Sequence, residues 1–223
     1  MKTHAERAYV KLRGDILAGR KRPGEKLPLA GLASEYDVSM GVIREALLRL
    51  ASEGLVVSEP QIGFRVVPVS TPDLLHLTEA RSAIEGLVFE QSVEHGDLDW
   101  ESRVIASHHR LSRTTRMDDH DGARIGEDWA LAHAEFHRAL LSGCPNPRLL
   151  AIALSLRDAA ELYRRWSVPL SGNNRDIDRE HRDLRDVALA HDAAQAVELL
   201  RDHIELTTRL LHSSQEAATE QAS

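Results

Sequence analysis

The spacing of apolar positions changes twice along the chain. Ala8, Leu12, Ile16 and Leu17 recur at helical intervals and stop at Gly19, ahead of the turn Arg22-Pro23-Gly24-Glu25. Leu29, Leu32, Ala33 and Tyr36 predict a short second helix. Val42, Ile43, Ala46, Leu47, Leu50 and Ala51 form the inner stripe of a third, preceded by a break at Asp37-Val38-Ser39 and ended by Gly54. The pattern then turns β-rich: Leu55-Val56-Val57 and Phe64-Arg65-Val66-Val67 flank Ser58 to Gly63, which suits a hairpin. Helix, helix, turn, helix and a two-stranded wing is the order of a winged helix-turn-helix.

The second change comes at about 67–71, a linker. Thr71 followed by Pro72 fits an N-cap and first helical position, because threonine accepts from an orphan N–H and proline has none to lose. Beyond it the pattern is helical throughout, over roughly 72–94, 98–117, 123–142, 147–166, 174–190 and 193–213. Gly96, Gly122, the stretch from Gly143 to Pro147 and that from Pro169 to Asn174 separate the first five, and Asp192 with Gln195 forms a capping-box pattern for the last. Six such helices bury their stripes only by packing together. The expected class is mainly α: a winged helix-turn-helix with a small β-wing in residues 1–70 and an all-α six-helix bundle in residues 71–223.

Composition narrows the setting. Over 223 residues, 42% apolar side chains exclude a mostly disordered chain. A single cysteine, Cys144, excludes an internal disulfide framework and any zinc site needing several thiolates, so a reducing compartment is expected. No apolar run approaches the ~20 residues of a membrane span, and MKTHAERAYVKLRGD lacks the apolar core of a signal peptide. A cytoplasmic protein with no membrane partner is expected. The net charge of −7 argues against a nucleic-acid partner only until it is divided. Residues 1–70 carry 11 Lys/Arg against 8 Asp/Glu, and the remainder 17 against 27, so the two parts have opposite sign.

In a helix-turn-helix the side chains near the start of the third helix reach base edges. That stretch is Ser39-Met40-Gly41-Val42-Ile43-Arg44-Glu45, and Arg44 is its one side chain able to bond bidentately to guanine O6 and N7. Ser39 and the Gly41 backbone suit phosphate better. The alternative for Arg44 is an ion pair with an acidic neighbour on a solvated helix.

Twelve histidines supply the other chemistry. His133 and His137, four apart, project from one helix face and can share an ion. His181 and His203 lie about ten residues either side of the short connection at 190–192, so neighbouring antiparallel helices bring them to similar depth. Each taken alone is more often a core or surface histidine, which is the reading for His76, His95, His108, His109, His120, His191 and His212.

Ile16-Leu17-Ala18-Gly19, Pro23-Gly24-Glu25-Lys26-Leu27, Leu32-Ala33, Val38-Ser39, Ile43-Arg44-Glu45-Ala46-Leu47, Leu50, Glu53-Gly54-Leu55 and Gly63 together resemble the winged-helix domain of the GntR family of bacterial transcription regulators. The resemblance implies DNA binding through Ser39, Met40, Gly41 and Arg44, with Gln61, Gly63 and Arg65 on or beside the wing. Where the family commonly carries Ser-Arg-Thr-Pro-Val-Arg-Glu-Ala-Leu, this chain has Met40 for the first arginine, then Gly41-Val42, and keeps Arg44. Solvated wing residues are an equally good reading of Gln61 and Arg65.

Residues 72–213 resemble the FCD-type effector domain of the same family (FadR subfamily, in its six-helix, VanR-like variety). The features that carry this are Arg81 with Ile84-Glu85, Phe136-His137, Asn146-Pro147, Glu180-His181, Asp192 with Ala196, and His203-Ile204. What this implies is a metal held by His133, His137, His181 and His203, the first standing where a carboxylate is usual. Four neutral imidazoles favour a borderline divalent ion such as Zn²⁺ or Ni²⁺ over Mn²⁺ or Mg²⁺. A small carboxylate effector then completes the ion's coordination, with Arg81 as a fork of donors; the alternative for Arg81 is an i, i+4 pair with Glu85. Glu135 and Glu180 lie close in sequence to these histidines, but neighbouring helical residues point elsewhere.

The function implied is a homodimeric, metabolite-responsive regulator of operator DNA, a repressor, and not an enzyme. Two alternatives stand beside it: a metal-dependent hydrolase using the histidines, which lacks a nucleophile–base pair or a phosphate-binding glycine loop, and a bundle serving only for dimerisation.

Overall fold

The structure is a computed structural model that describes residues 3–59, 61–117, 125–166 and 175–221. It divides into one unit of Met1–Asp73 with Asp158–Trp166 and a second of Leu74–Arg157 with Ser167–Ser223.

In the first unit α1 (His4–Leu17), α2 (Leu29–Tyr36) and α3 (Met40–Ser52) precede a two-stranded sheet, β1 (Val56–Glu59) and β2 (Gly63–Val66). Leu12, Ile16, Leu32, Ile43, Leu47, Leu50 and Leu55 are buried in one core, so the apolar stripes read from the sequence are the packed faces. Asp37 takes a left-handed conformation at φ 53°, which ends α2. Two residues on, Ser39 caps α3 by accepting from the Val42 N–H at 3.3 Å. Gly54, at φ 73°, lies just beyond the end of α3 at a conformation a side chain would strain. The antiparallel register pairs Val56 with Val66 and Ser58 with Phe64, which turns Val56, Phe64 and Val66 into the core.

The second unit holds α4 (Thr71–His95) beyond Asp73, α5 (Leu98–Arg113), α6 (Glu127–Leu141), α7 (Pro147–Trp166) as far as Arg157, α8 (Ile177–Leu189) and α9 (Ala193–Gln221). Phe89, Trp100, Val104, Phe136, Leu140, Leu184, Leu200 and Ile204 fill its core. Gly143 is needed at one close approach, since a Cβ there would stand 2.6 Å from the Ser92 carbonyl oxygen of α4. α6 packs on α5, while α8 packs on both α5 and α9, which places the α6, α8 and α9 histidines on interior faces.

Several boundaries differ from the sequence expectation. α4 begins at Thr71, not after it, because the Ser70 hydroxyl accepts from the Asp73 N–H at 3.3 Å and takes the capping role expected of Thr71. α5 stops at Arg113, where the β-branched Thr114 turns extended. α6 starts at Glu127 because Ile125 is drawn into a bridge with Met117. α8 starts at Ile177, capped by Asp176, and α9 runs on to Gln221. Gly122, His120 and the stretch from Pro169 to Asn174 lie outside the described residues.

Candidate metal centre and nucleic-acid interface

The α6 spacing of four residues sets His133 and His137 one turn apart on a buried face, their ring centroids separated by 4.5 Å. His181 of α8 and His203 of α9 meet them, and one nitrogen from each of the four rings lies within 4.8 Å of all the others. The Nε2 atoms of His137 and His181 are 3.4 Å apart. That matches the edge of a tetrahedron drawn with zinc–nitrogen bonds, ~3.3 Å. Trp129 stacks on the His133 ring at 4.8 Å and shields that side from water.

Electrostatics favour the neutral, ligand-ready form of His137 and His203. Burial first, and then the Arg157 cation, hold His137 well below the ordinary histidine range. Burial also lowers His203, against the opposing pull of Glu180. His137 Nδ1 is buried without a hydrogen-bond partner. An unsatisfied buried nitrogen costs about 1–3 kcal/mol. Four buried imidazoles, two of them held toward the neutral form and one nitrogen pair already at coordination spacing, fit a divalent ion of borderline softness.

Glu180 was expected to point away from the cluster. It points away from His181, its neighbour on α8, but its Oε2 accepts from His203 Nδ1–H on α9 at 2.7 Å. Arg175 grips the same carboxylate through Nε and Nη2 at 2.7 and 2.6 Å, and donates to Thr207 Oγ1 at 2.9 Å. Burial would raise the Glu180 carboxyl, yet the hydrogen bonds from Arg175 and His203 bring it down to about 2. A carboxylate on Nδ1 fixes the His203 tautomer with its Nε2 lone pair turned to the other histidines. No sequence spacing announces this contact, because the partners sit on different helices 23 residues apart. Glu180→Gln is expected to weaken zinc binding about 10- to 100-fold, measured by competition with a chromophoric chelator, while the apo protein keeps its helical content.

Arg81 lies in the pair named as its alternative, with its Nε 2.5 Å from Glu85 Oε1. Glu85 is wholly buried and also receives Arg157 at 2.8 Å; despite the cost of burial, the two arginines hold its carboxyl below the usual range.

In the first unit α3 presents Met40, Gly41, Arg44, Glu45, Leu48 and Arg49 to solvent. Arg49 is engaged by Glu6 at 2.7 Å and lies over the Tyr9 ring. Among the described residues Arg44 makes no ion pair, so its guanidinium is free to face outward. Ser39 Oγ is spent on the α3 cap, Gln61 and Gly63 lie exposed at the hairpin turn with φ of 64° and 109°, and Arg65 pairs with Glu59 at 2.9 Å. On α1, His4, Arg7 and Lys11, which no apolar spacing singles out, line a 260 Å³ cavity with Asp37 and Val38 of the α2–α3 turn.

Comparison with known proteins decides the lineage. Residues 4–66 match the description "Bacterial regulatory proteins, gntR family" and residues 76–206 match "FCD domain". The chain belongs to the GntR family. A relative in Paraburkholderia xenovorans (strain LB400), named uncharacterized HTH-type transcriptional regulator BphR, is 40% identical over 200 residues, covering 90% of this chain and 82% of that protein. The Escherichia coli (strain K12) HTH-type transcriptional repressor GlaR is 34% identical over 200 residues, covering 88% and 90%. The solved structure titled E. coli McbR/YncC shares the fold at a TM-score of 0.77 with 18% identity, over 96% of this chain and 100% of that one. This GntR-family protein is therefore a DNA-binding transcription regulator and not an enzyme. Among its described residues no helix is long and apolar enough to cross a membrane.

Proposed function

We propose that the chain is a homodimeric, metal-containing repressor whose hold on operator DNA is weakened by a small carboxylate metabolite. Residues 1–70 bind DNA, and residues 71–223 bind the effector and dimerise. One observation carries this reading: four buried imidazoles from three helices converge within 4.8 Å. It is supported by the relative named a transcriptional repressor. A two-fold assembly sets two copies of α3 about one DNA turn apart on a palindromic site.

His133, His137, His181 and His203 would hold the ion, and their neutral nitrogen set favours Zn²⁺ or Ni²⁺. When bound, such an ion supplies Lewis acidity and two positive charges that no ligand neutralises. Arg157 adds to the positive potential felt at His137 and His203. An anion is the matching effector.

Two cavities reach members of the cluster. That between α8 and α9, 360 Å³, is lined by His203 with Glu180, Asp183 and Asp202 against a single cation, Arg209, a balance that disfavours an anion. That between α5 and α8, 370 Å³, is lined by His181 with Arg182 and Arg185 against a single acid, Asp178, and suits the approach of a carboxylate better. Arg81 and Arg157 already hold one carboxylate, that of Glu85, which illustrates the ligand class this pair accepts. For Arg81 the pairing with Glu85 favours a second reading, in which it keeps that carboxylate in place and does not meet the effector.

An effector shifts DNA binding only if it prefers one arrangement of the protein. Metal-loaded and chelator-treated protein on a selected operator duplex is titrated with a panel of mono- and dicarboxylates. At least one is expected to weaken binding about tenfold in the loaded protein and none in the stripped one. Release that is absent throughout, or equal in both forms, rejects the metal-linked effector.

A further inference from the structure

The outer face of α3 carries two exposed apolar side chains on the same edge as Arg44. Its inner stripe, Ile43, Ala46, Leu47 and Leu50, is at most 2% exposed, so the core is complete without help from the other side. Yet Met40 is 56% exposed and Leu48 52%, and with Arg44 between them they form a stripe at i, i+4, i+8 along one outer edge of the helix. The row therefore offers a partner one cation, which makes no ion pair among the described residues, with an apolar side chain one turn to either side of it.

Met40 is the first residue of α3, directly after the Ser39 cap. Gly41 beside it adds no side chain, and a Cβ at Gly41 would meet only Ser39 Oγ, at 3.8 Å. The start of the helix can therefore approach a duplex closely, with Met40 as the projecting group. Its thioether is flexible and polarisable and carries no donor or charge. In the major groove the apolar feature is the C5-methyl of thymine; every other base edge there offers polar groups that a methionine would desolvate without bonding.

We propose that Met40 reads the methyl group of a thymine adjacent to the base contacted by Arg44, and so sets an operator preference particular to this chain. The inference rests on α3 being the base-reading helix. Where relatives place an arginine at this position, a cation there would take a phosphate or guanine; the methionine exchanges that contact for a methyl.

The test uses the full chain. A half-site is first selected from randomised duplexes, and each thymine in it is then replaced singly by deoxyuridine, which removes only the methyl. One replacement is expected to weaken wild-type binding about three- to fivefold, the worth of one buried methyl. Met40→Ala is expected to bind the thymine and deoxyuridine duplexes equally, and Met40→Arg to select a different base at that position. Because Met40 is exposed, both variants retain the fold, checked by helical content and melting temperature. Wild-type insensitivity to every replacement, or Met40→Ala retaining the full difference, overturns the proposal while leaving the helix assignment standing. Selection that yields no preferred sequence at all overturns the assignment of α3 as base reader, and the proposal with it.

Discussion

Arg44→Ala is expected to lower affinity for the selected operator by about 5- to 150-fold per half-site, the worth of one bidentate arginine–guanine contact at about 1–3 kcal/mol. Binding to unrelated duplex should fall little, because that component comes from phosphate neutralisation. Nothing in the fold depends on this side chain: it is exposed, it lies off the inner stripe of α3, and among the described residues it pairs with no acid. The melting temperature should therefore stay within the scatter of surface substitutions. Arg49→Ala provides the contrast, since Arg49 links Glu6, Glu53 and the Tyr9 ring and its loss should show in stability. Competition binding with selected and scrambled duplexes decides the matter. Arg44→Ala binding the selected site as tightly as wild type removes Arg44 as the base reader.

The second large effect concerns the histidines. Wild-type protein reconstituted with Zn²⁺ or Ni²⁺ and freed of excess is expected to retain about one ion per chain, and His137→Ala to retain none. Free ion at about a hundred times its dissociation constant should stabilise the wild type by about 2.7 kcal/mol and leave the variant's melting temperature unchanged. His137 is buried, so His203→Ala serves as a second variant should the first fail to fold. Trp129, stacked on His133, provides an optical readout: Ni²⁺ should quench its fluorescence in wild type and not in either variant. A wild type that takes up no metal under any reconstitution condition sinks the ion. The four rings would then be a buried polar cluster inside a purely structural bundle.

Much of this was readable from local order. The helices of the first unit, the hairpin and the six helical segments after residue 70 follow from apolar spacing, because each is fixed by neighbours within a turn or two. Boundaries were less legible where a cap or bridge came from outside the expected segment, as with Ser70 at α4 and the Met117–Ile125 bridge ahead of α6. The −7 net charge was an average over a basic first part and an acidic remainder, and did not count against a DNA partner.

By itself the sequence determined which side chains share a face: His133 with His137, and Met40 with Arg44 and Leu48, since a helix repeats every three to four residues whatever it packs against. It also carried the family resemblance that the matches to residues 4–66 and 76–206 bear out. Only the tertiary structure decided which groups meet across helices. The Arg175–Glu180 and Glu180–His203 bonds and the arrival of Arg157 at Glu85, already within one turn of Arg81, join residues 5, 23 and 72 positions apart. A carboxylate that is wholly buried, as Glu85 is, or half-buried, as Glu180 is, takes the cation or N–H that packing brings within reach, a condition that no spacing along the chain expresses.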